Sequence, residues 1–392
     1  MTSFSFRIFQ NQRNRRKVLI LCIIALVSCN DKKEIKNSDE SLIGDKVSVA
    51  QRIEIRKGKN YTEVTIIDPW QGADHVEMVY SLVRRGSTPP SGLDSSMVIF
   101  VPVRKIVCMS TTHVAMISAL GEVNSIAGMS GTGFMYSKDL NLRAEEGFIK
   151  DVGYEANLNK ELIIGIKPDI VMIYGIGSES SGYVGKIKEL GVKVIYNADY
   201  LETDPLGKAE WIKLFGALYC KESLADSIYN SEVENYNNLK SFITKNINDK
   251  PKVLLGLPFK ETWFVSPGNS FISRLIADAG GDYLWQDTKS SVSMPLGLEN
   301  VYLKALNADF WLNIGTVKTK SEISLMDQRL KGLPCFKNGN MYNNNNRTTE
   351  TGGNDFWESG AVYPHLILRD IASILHPDLF NSNELFYYRK IY

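Results

Sequence analysis

The spacing of apolar and polar residues changes character partway along the chain. Residues 52–56, 61–67, 77–83 and 97–103 are short apolar-rich runs of strand length. The first two are separated by Lys57, Gly58, Lys59 and Asn60, a turn composition that predicts a hairpin. Residues 47–103 are therefore expected to form an antiparallel β extension. From Lys105 onward, apolar runs of strand length alternate with helical stretches, which predicts an α/β arrangement with mainly parallel sheets. A strand at 106–110 leads to Thr111 or Thr112 as cap of a helix that Gly121 ends, and a second strand at 125–128 precedes a glycine-bearing loop at 130–133. A helix at 159–166, stopped by Lys167, Pro168 and Asp169, then leads to buried strands at 170–174 and 193–196.

The same succession returns later. Residues 252–257 match the first strand, and 271–279 with Gly280 and Gly281 match the first helix and its stop. A helix at 299–306, then Asn307, Ala308 and Asp309, then a strand at 310–314, repeats the second unit. This duplication of pattern predicts two similar lobes. Between them, residues 208–248 are the most helical part of the chain. Ala225, Tyr229, Val233, Tyr236, Leu239, Ile243 and Ile247 are spaced by three or four and make one apolar stripe. A helix from Ser223 to Asn248 would be roughly 40 Å long at about 1.5 Å per residue, enough to run the height of two small lobes. Such a connector resists bending, because bending breaks backbone hydrogen bonds that a loop does not have.

With 392 residues and 44% hydrophobic content the chain can bury a sizeable core, and its length suits two compact units. Its 45 Lys and Arg against 44 Asp and Glu leave a net charge of +1, so no global field draws a polyanion, and nucleic acid is not an expected partner. At the N-terminus, Arg13, Arg15, Arg16 and Lys17 precede an apolar run at 18–27 and then Ser28 and Cys29, the order of a secretory signal. That run is too short to span a bilayer. Leu26, Val27, Ser28 and Cys29 resemble a bacterial lipobox, which implies a signal over 1–29 and acylation of Cys29. The polar stretch 30–46 reads as a tether with little to bury. Cys22 lies in the signal, and Cys108, Cys220 and Cys335 match neither a metal knuckle nor a Cys-x-x-Cys pair. One disulfide with a leftover thiol, or buried free thiols, both fit these three.

No catalytic constellation stands out. Gly128, Met129, Ser130 and Gly131 resemble a nucleophile elbow only in part, since Thr132 stands where a glycine is needed. Gly131, Thr132 and Gly133 are too short for a dinucleotide fingerprint. Adjacent Glu145 and Glu146 would not face one another on a helix. A binding module is expected, not an enzyme.

Taken in order, the segments 104–131, 151–175, 271–281 and 295–309, and the close at Tyr363, Pro364, His376 and Pro377, resemble the periplasmic binding proteins of iron-siderophore, haem and vitamin B12 importers. The resemblance spans about residues 103–379 and implies two Rossmann-like lobes, 104–207 and 249–392, joined by a single long helix within 208–248. It implies delivery to an ABC permease, with Glu161 and Glu299 matching the two glutamates that pair with arginines on the permease. The ligand it implies is a chelated metal, iron in a siderophore or haem, or cobalt in cobalamin, with no resident cofactor. The chain would act as a monomer, anchored to a membrane by lipid, in the periplasm or at the cell surface. A ligand-sensing or surface-scaffold lipoprotein of the same fold, working without a permease, is the alternative.

The ligand is expected between the lobes, against loops that follow strand ends. In the first lobe these loops offer Thr112, His113, Phe134, Met135, Tyr136 and Tyr154; in the second, Phe259, Trp263, Trp285, Phe356 and Trp357. Aromatic faces suit a flat macrocycle or a catecholate, and Arg347 and Lys260 suit an anionic carrier. His75, His113, His365 and His376 form no local zinc pattern, so no protein metal site is expected. The stretch 343–354, rich in Asn, Thr and Gly, reads either as a mobile lid or as a plain exposed connection.

Overall fold

The computed structural model of the protein describes residues 43–45, 47–154, 157–175, 185, 187–189, 191–380 and 384–392. Cys29, the signal and nearly all of the expected tether lie outside the described residues. Near the N-terminus, β1 (Ile43–Asp45), β2 (Ile53–Lys57), β3 (Tyr61–Ile67), β4 (Glu77–Arg84) and β5 (Val98–Val101) form one sheet in that order. β2 and β3 pair antiparallel with Ile53 opposite Ile66 and Lys57 opposite Thr62, the hairpin that the turn residues predict. The last strand corrects the expectation of an antiparallel extension, because β5 runs parallel to β4 with Ser81 opposite Val98. A parallel neighbour needs a crossover of about a dozen residues where an antiparallel one needs only a tight turn, and the loop containing Pro89 and Pro90 supplies it. Val64, Ile66, Tyr80, Leu82 and Ile99 turn inward and join the core of the first lobe.

Five parallel strands make that lobe's sheet: β6 (Ile106–Cys108), β7 (Ile126–Met129), β8 (Lys150–Asp151), β9 (Ile170–Ile173) and β10 (Val194–Tyr196), in the order β10-β9-β6-β7-β8. Helices cover its faces, so the central strands read as unbroken apolar runs, and β6 and β9 are buried throughout. The second half contributes β11 (Lys252–Leu255), β12 (Pro258–Phe259), β13 (Thr262–Val265), β14 (Asp282–Tyr283), β15 (Met294–Gly297), β16 (Phe310–Leu312), β17 (Met341–Asn343) and β18 (Arg389–Lys390). Its main sheet is β14-β11-β16-β17-β18, parallel except for the edge strand β18, and β12-β13-β15 form a small antiparallel sheet beside it. In each main sheet the first strand is flanked in the same way, β6 by β7 and β9 and β11 by β14 and β16. The mixed α/β architecture with parallel sheets is thus the one the alternation predicts.

Residues expected as one connecting unit over 208–248 divide into three helices, Pro205–Glu210, Ile212–Tyr219 and Glu222–Asn246. Cys220 takes a left-handed conformation (φ 56°) and ends the second helix just before the long one begins. Along the 25-residue third helix the stripe changes partners: Ala225 and Tyr229 belong to the first core, Tyr236 and Ile243 to the second, and Val233 touches both. A strap at residues 48–52 crosses the same region. The N–H groups of Ser48, Val49 and Ala50 donate to the buried Glu210 carboxylate at 2.8, 2.8 and 2.9 Å. Those of Gln51 and Arg52 donate to Glu202, which also accepts from the Trp211 indole N–H at 3.1 Å. Val47 and Ala50 pack on the first core and Val49 on the second. Cys108, Cys220 and Cys335 are free, the first and last buried.

Candidate functional site

Where β7 and β8 end, the first lobe presents a hollow of about 530 Å³, within the range of small-molecule sites. Asp151, at the end of β8, ties its floor together by accepting from the N–H of Gly131, Thr132 and Gly153 and from the Thr132 hydroxyl, at 2.8 to 3.2 Å. Burial pushes the Asp151 carboxyl up, but these four donors outweigh it and hold the group below its ordinary value. Phe134 and Tyr154 stand at the rim, roughly half exposed, with ring centroids 5.8 Å apart and edge to face. Gly131 is required here, since its φ is +71° and a Cβ would lie 2.6 Å from the Phe134 ring.

The second half closes over this hollow with residues 344–358. The Thr351 hydroxyl donates to Gly133 O at 2.9 Å, and Gly353 comes so close that a Cβ would sit 2.4 Å from Met135 O. Glu358 accepts from Tyr136 N–H at 2.7 Å and from Ser137 N–H at 3.1 Å, at the start of helix Lys138–Glu145, which has no side-chain cap of its own. Burial raises the Glu358 carboxyl to about 7 despite these two donors, and Asp355 nearby adds to the rise. The Arg347 guanidinium lies between two rings, 4.9 Å from Tyr136 and 4.3 Å from Phe386, while its Nε donates to Asp355 Oδ2 at 2.6 Å. The Thr111 hydroxyl reaches Trp357 O at 3.5 Å, and the Trp357 ring is 55% exposed.

Of the residues singled out by sequence, the structure thus brings Tyr136, Tyr154, Arg347 and Trp357 to the junction between the lobes. Thr112 stays near it but turns its hydroxyl to the buried Asp199, at 3.4 Å. Three expected ligand contacts are corrected. His113 is wholly buried in the first helix beside Asp199 and Lys208, with neither ring nitrogen hydrogen-bonded, and burial lowers its pKa to about 4. Trp263 is fully buried, donates its indole N–H to Leu255 O at 2.9 Å and packs on Trp311. Trp285 is 7% exposed, against Tyr283 and under the Lys304 ammonium. All three fill the core because their rings close gaps between strand and helix. Met135 and Phe356 are buried too, while Phe259 and Lys260 stay exposed on the β12–β13 turn.

Nor is the polar stretch at 343–354 a plain exposed connection. Asn343 donates to Gly315 O and Val317 O, both at 2.9 Å, and Asn345 to Val317 O at 3.1 Å. Asn354 donates to Asn344 O at 3.1 Å. Asp151, Thr351, Asp355 and Glu358 help build this junction and are not among the residues that sequence reasoning singled out, because none belongs to a periodic apolar pattern.

Glu161 and Glu299 are exposed in the first turns of helices Lys160–Ile166 and Leu298–Ala305. Each helix precedes a parallel strand, β9 or β16, so it runs back across its sheet and its N-terminus lies at the edge where the strands end. Each carboxylate therefore sits at the strand-end edge of its own sheet, and in the first lobe that edge also carries the hollow.

Two parallel-sheet lobes bridged by a long helix, with a hollow at their junction, define the class of bilobed solute-binding proteins. Residues 106–349 match the family model described as periplasmic binding protein, and the chain belongs to that family. An uncharacterized lipoprotein of Methanocaldococcus jannaschii is 28% identical across 95% of each chain. A periplasmic heme binding protein from Pseudomonas aeruginosa shares the fold at a TM-score of 0.56, with 14% identity over 74% of this chain and 98% of its own. An ABC transporter substrate-binding protein from Listeria monocytogenes does so at 0.52, with 17% identity over 70% and 99%. The family consists of extracytoplasmic, non-enzymatic transport components that bind small ligands and work with ABC permeases.

Proposed function

We infer that this chain captures an iron chelate, a siderophore or haem, or a cobalamin, and delivers it to the permease of an ABC importer while anchored to the membrane through acylated Cys29. What carries this reading is the exposed Phe134–Tyr154 pair at the rim of the hollow, with Trp357 and the ring-sandwiched Arg347 at the lobe junction. Aromatic edges and faces bury much of a flat ligand with few bonds to freeze, and a guanidinium meets its carboxylates or catecholate oxygens. The heme-binding neighbour supports the same ligand class. The metal travels inside its chelator, so the residues of this chain hold the organic shell and supply no metal ligand. Glu161 and Glu299 dock the two lobes on the permease, and the protein works as a monomer.

Titration of the chain from Asn30 onward with ferric siderophores, haem and cobalamin tests this, with tryptophan fluorescence as the signal and exposed Trp357 as reporter. One ligand class should quench with a micromolar or lower Kd, and Phe134→Ala with Tyr154→Ala should weaken it about tenfold or more, as loss of stacking contacts does. Silence with all three classes overturns the reading.

A further inference from the structure

A second cavity, of about 990 Å³, lies apart from the first-lobe hollow. It lies at the outer edge of the second lobe's sheet, beside β18, and shares no lining residue with the first-lobe hollow. Three cations face it, Lys318, Arg389 and Lys390, and no carboxylate among the described residues forms an ion pair with any of them. Glu384 supplies an acidic side chain to the lining, and the residue is engaged in an interaction of its own. Glu322 lies close by, yet it is taken up by accepting from Lys318 N–H at 3.0 Å and from the Thr319 hydroxyl at 3.2 Å.

Donors are left over here while acceptors are used. Arg389 keeps a buried Nε–H without a partner, its Nη2 reaching only Lys318 O at 3.3 Å. Against this, the Leu385 carbonyl is taken by the Asn346 amide at 3.0 Å. The wall also presents Ile374, Pro377, Leu385 and the Tyr342 ring, over which the Lys390 ammonium sits at 5.8 Å, beside the polar Thr319, Asn346 and Ser373. Cations without a carboxylate partner on a cavity wall favour an anion.

We propose that this cavity is a second binding site, separate from the lobe junction, for a small organic anion that carries a carboxylate or phosphate group on an aromatic or apolar body. The oxyanion meets Lys318, Arg389 and Lys390, and the body lies against Tyr342 and Ile374. The site backs onto the loop that bears Arg347, since Asn346 lines it and the neighbouring Arg347 lies over Phe386.

Calorimetric titration of the full chain with phenyl phosphate, benzoate, phenol and inorganic phosphate tests the proposal. Phenyl phosphate or benzoate should bind with a submillimolar Kd, at least about tenfold tighter than phenol or inorganic phosphate, and which of the two prevails identifies the anionic group. Lys318→Met with Lys390→Met should weaken that binding about tenfold or more, whereas Arg347→Ala should leave it unchanged. If the double variant folds poorly, Lys390→Gln alone serves the comparison, because its side chain only overlies Tyr342. No binding by either aromatic anion, equal binding of phenol or inorganic phosphate, or loss of binding in Arg347→Ala overturns the site. None of these outcomes touches ligand capture between the lobes, which the chelate titrations read separately.

Discussion

Asp169 and Asp309 do the same work in the two lobes. Asp169 Oδ2 accepts from Arg104 N–H at 2.7 Å and Lys105 N–H at 3.1 Å, and its own N–H donates to Lys105 O at 2.8 Å. Asp309 Oδ2 accepts from Lys252 N–H at 2.7 Å, and its N–H donates to Lys252 O at 2.8 Å. Each aspartate thus pins the start of its lobe's central strand to the start of the strand beside it. Asp169 alone adds an ion pair, with Arg85 at 2.6 Å.

Replacing either aspartate with alanine should destabilise the protein, by about 1 kcal/mol for Asp309 and about 2 kcal/mol for Asp169, read from urea midpoints. Burial raises the Asp169 carboxyl, but hydrogen bonds from Arg104, Arg85 and Lys105 with the Arg85 charge bring it below its ordinary value. A lowered carboxylate stabilises above its unfolded pKa of about 3.9 and loses that contribution as pH falls through its folded value. Asp169→Asn should therefore flatten the acid limb of the stability curve. An unchanged limb would show that the pin contributes nothing electrostatic.

Glu358 carries the opposite sign. Its folded pKa of about 7 stands above an ordinary 4.5, so its contribution is complete below about pH 4.5 and is lost as pH rises through 7. Glu358→Gln should remove up to about 3 kcal/mol of that dependence between these pH values. Because Glu358 joins the second half of the chain to Tyr136 and Ser137, ligand affinity should drift over the same interval in the parent and not in the variant. Parallel pH profiles for the two proteins would remove the carboxyl from any part in coupling the lobes.

His113 titrates the other way again. Burial lowers its pKa to about 4, offset in part by Asp199 and reinforced by Lys208, so the folded protein favours the neutral ring. Stability should fall as pH drops from the unfolded value of about 6.5 toward 4. His113→Leu should abolish that slope and be neutral or stabilising at pH 7, because neither ring nitrogen has a partner to lose. Ligand affinity should not change. A large loss of affinity would restore His113 to the site from which its burial removes it.

Charge reversal at both Glu161 and Glu299 should abolish uptake by cells while leaving the Kd for ligand within about twofold, since both side chains are exposed and neither lines the hollow. Uptake that survives the double change favours the permease-independent sensor, and a raised Kd counts against docking.

Much of the architecture is legible in the sequence because burial on two faces leaves unbroken apolar runs, as in 106–108 and 170–173, and because Gly121 and Lys167-Pro168-Asp169 punctuate them. The long helix shows through its stripe, though not the break just before it, which depends on the left-handed Cys220. Pairing direction was harder: β5 has the composition of any extension strand, and only the length of its crossover sets it parallel. The site was legible only in part. A tryptophan has the same letters whether it fills a core, as Trp263 and Trp285 do, or faces solvent, as Trp357 does. Glu358 gave no signal, because its partners are backbone N–H groups 222 and 221 residues away.

The grip of Glu202 and Glu210 on residues 48–52 decides where mechanical load enters the molecule. Load on β1 passes to β2 through their pairing and to helix Pro205–Glu210 through the strap, and bypasses the Phe134–Tyr154 rim. The strap and the long helix therefore fasten the two lobes along one seam, where residues of both cores meet.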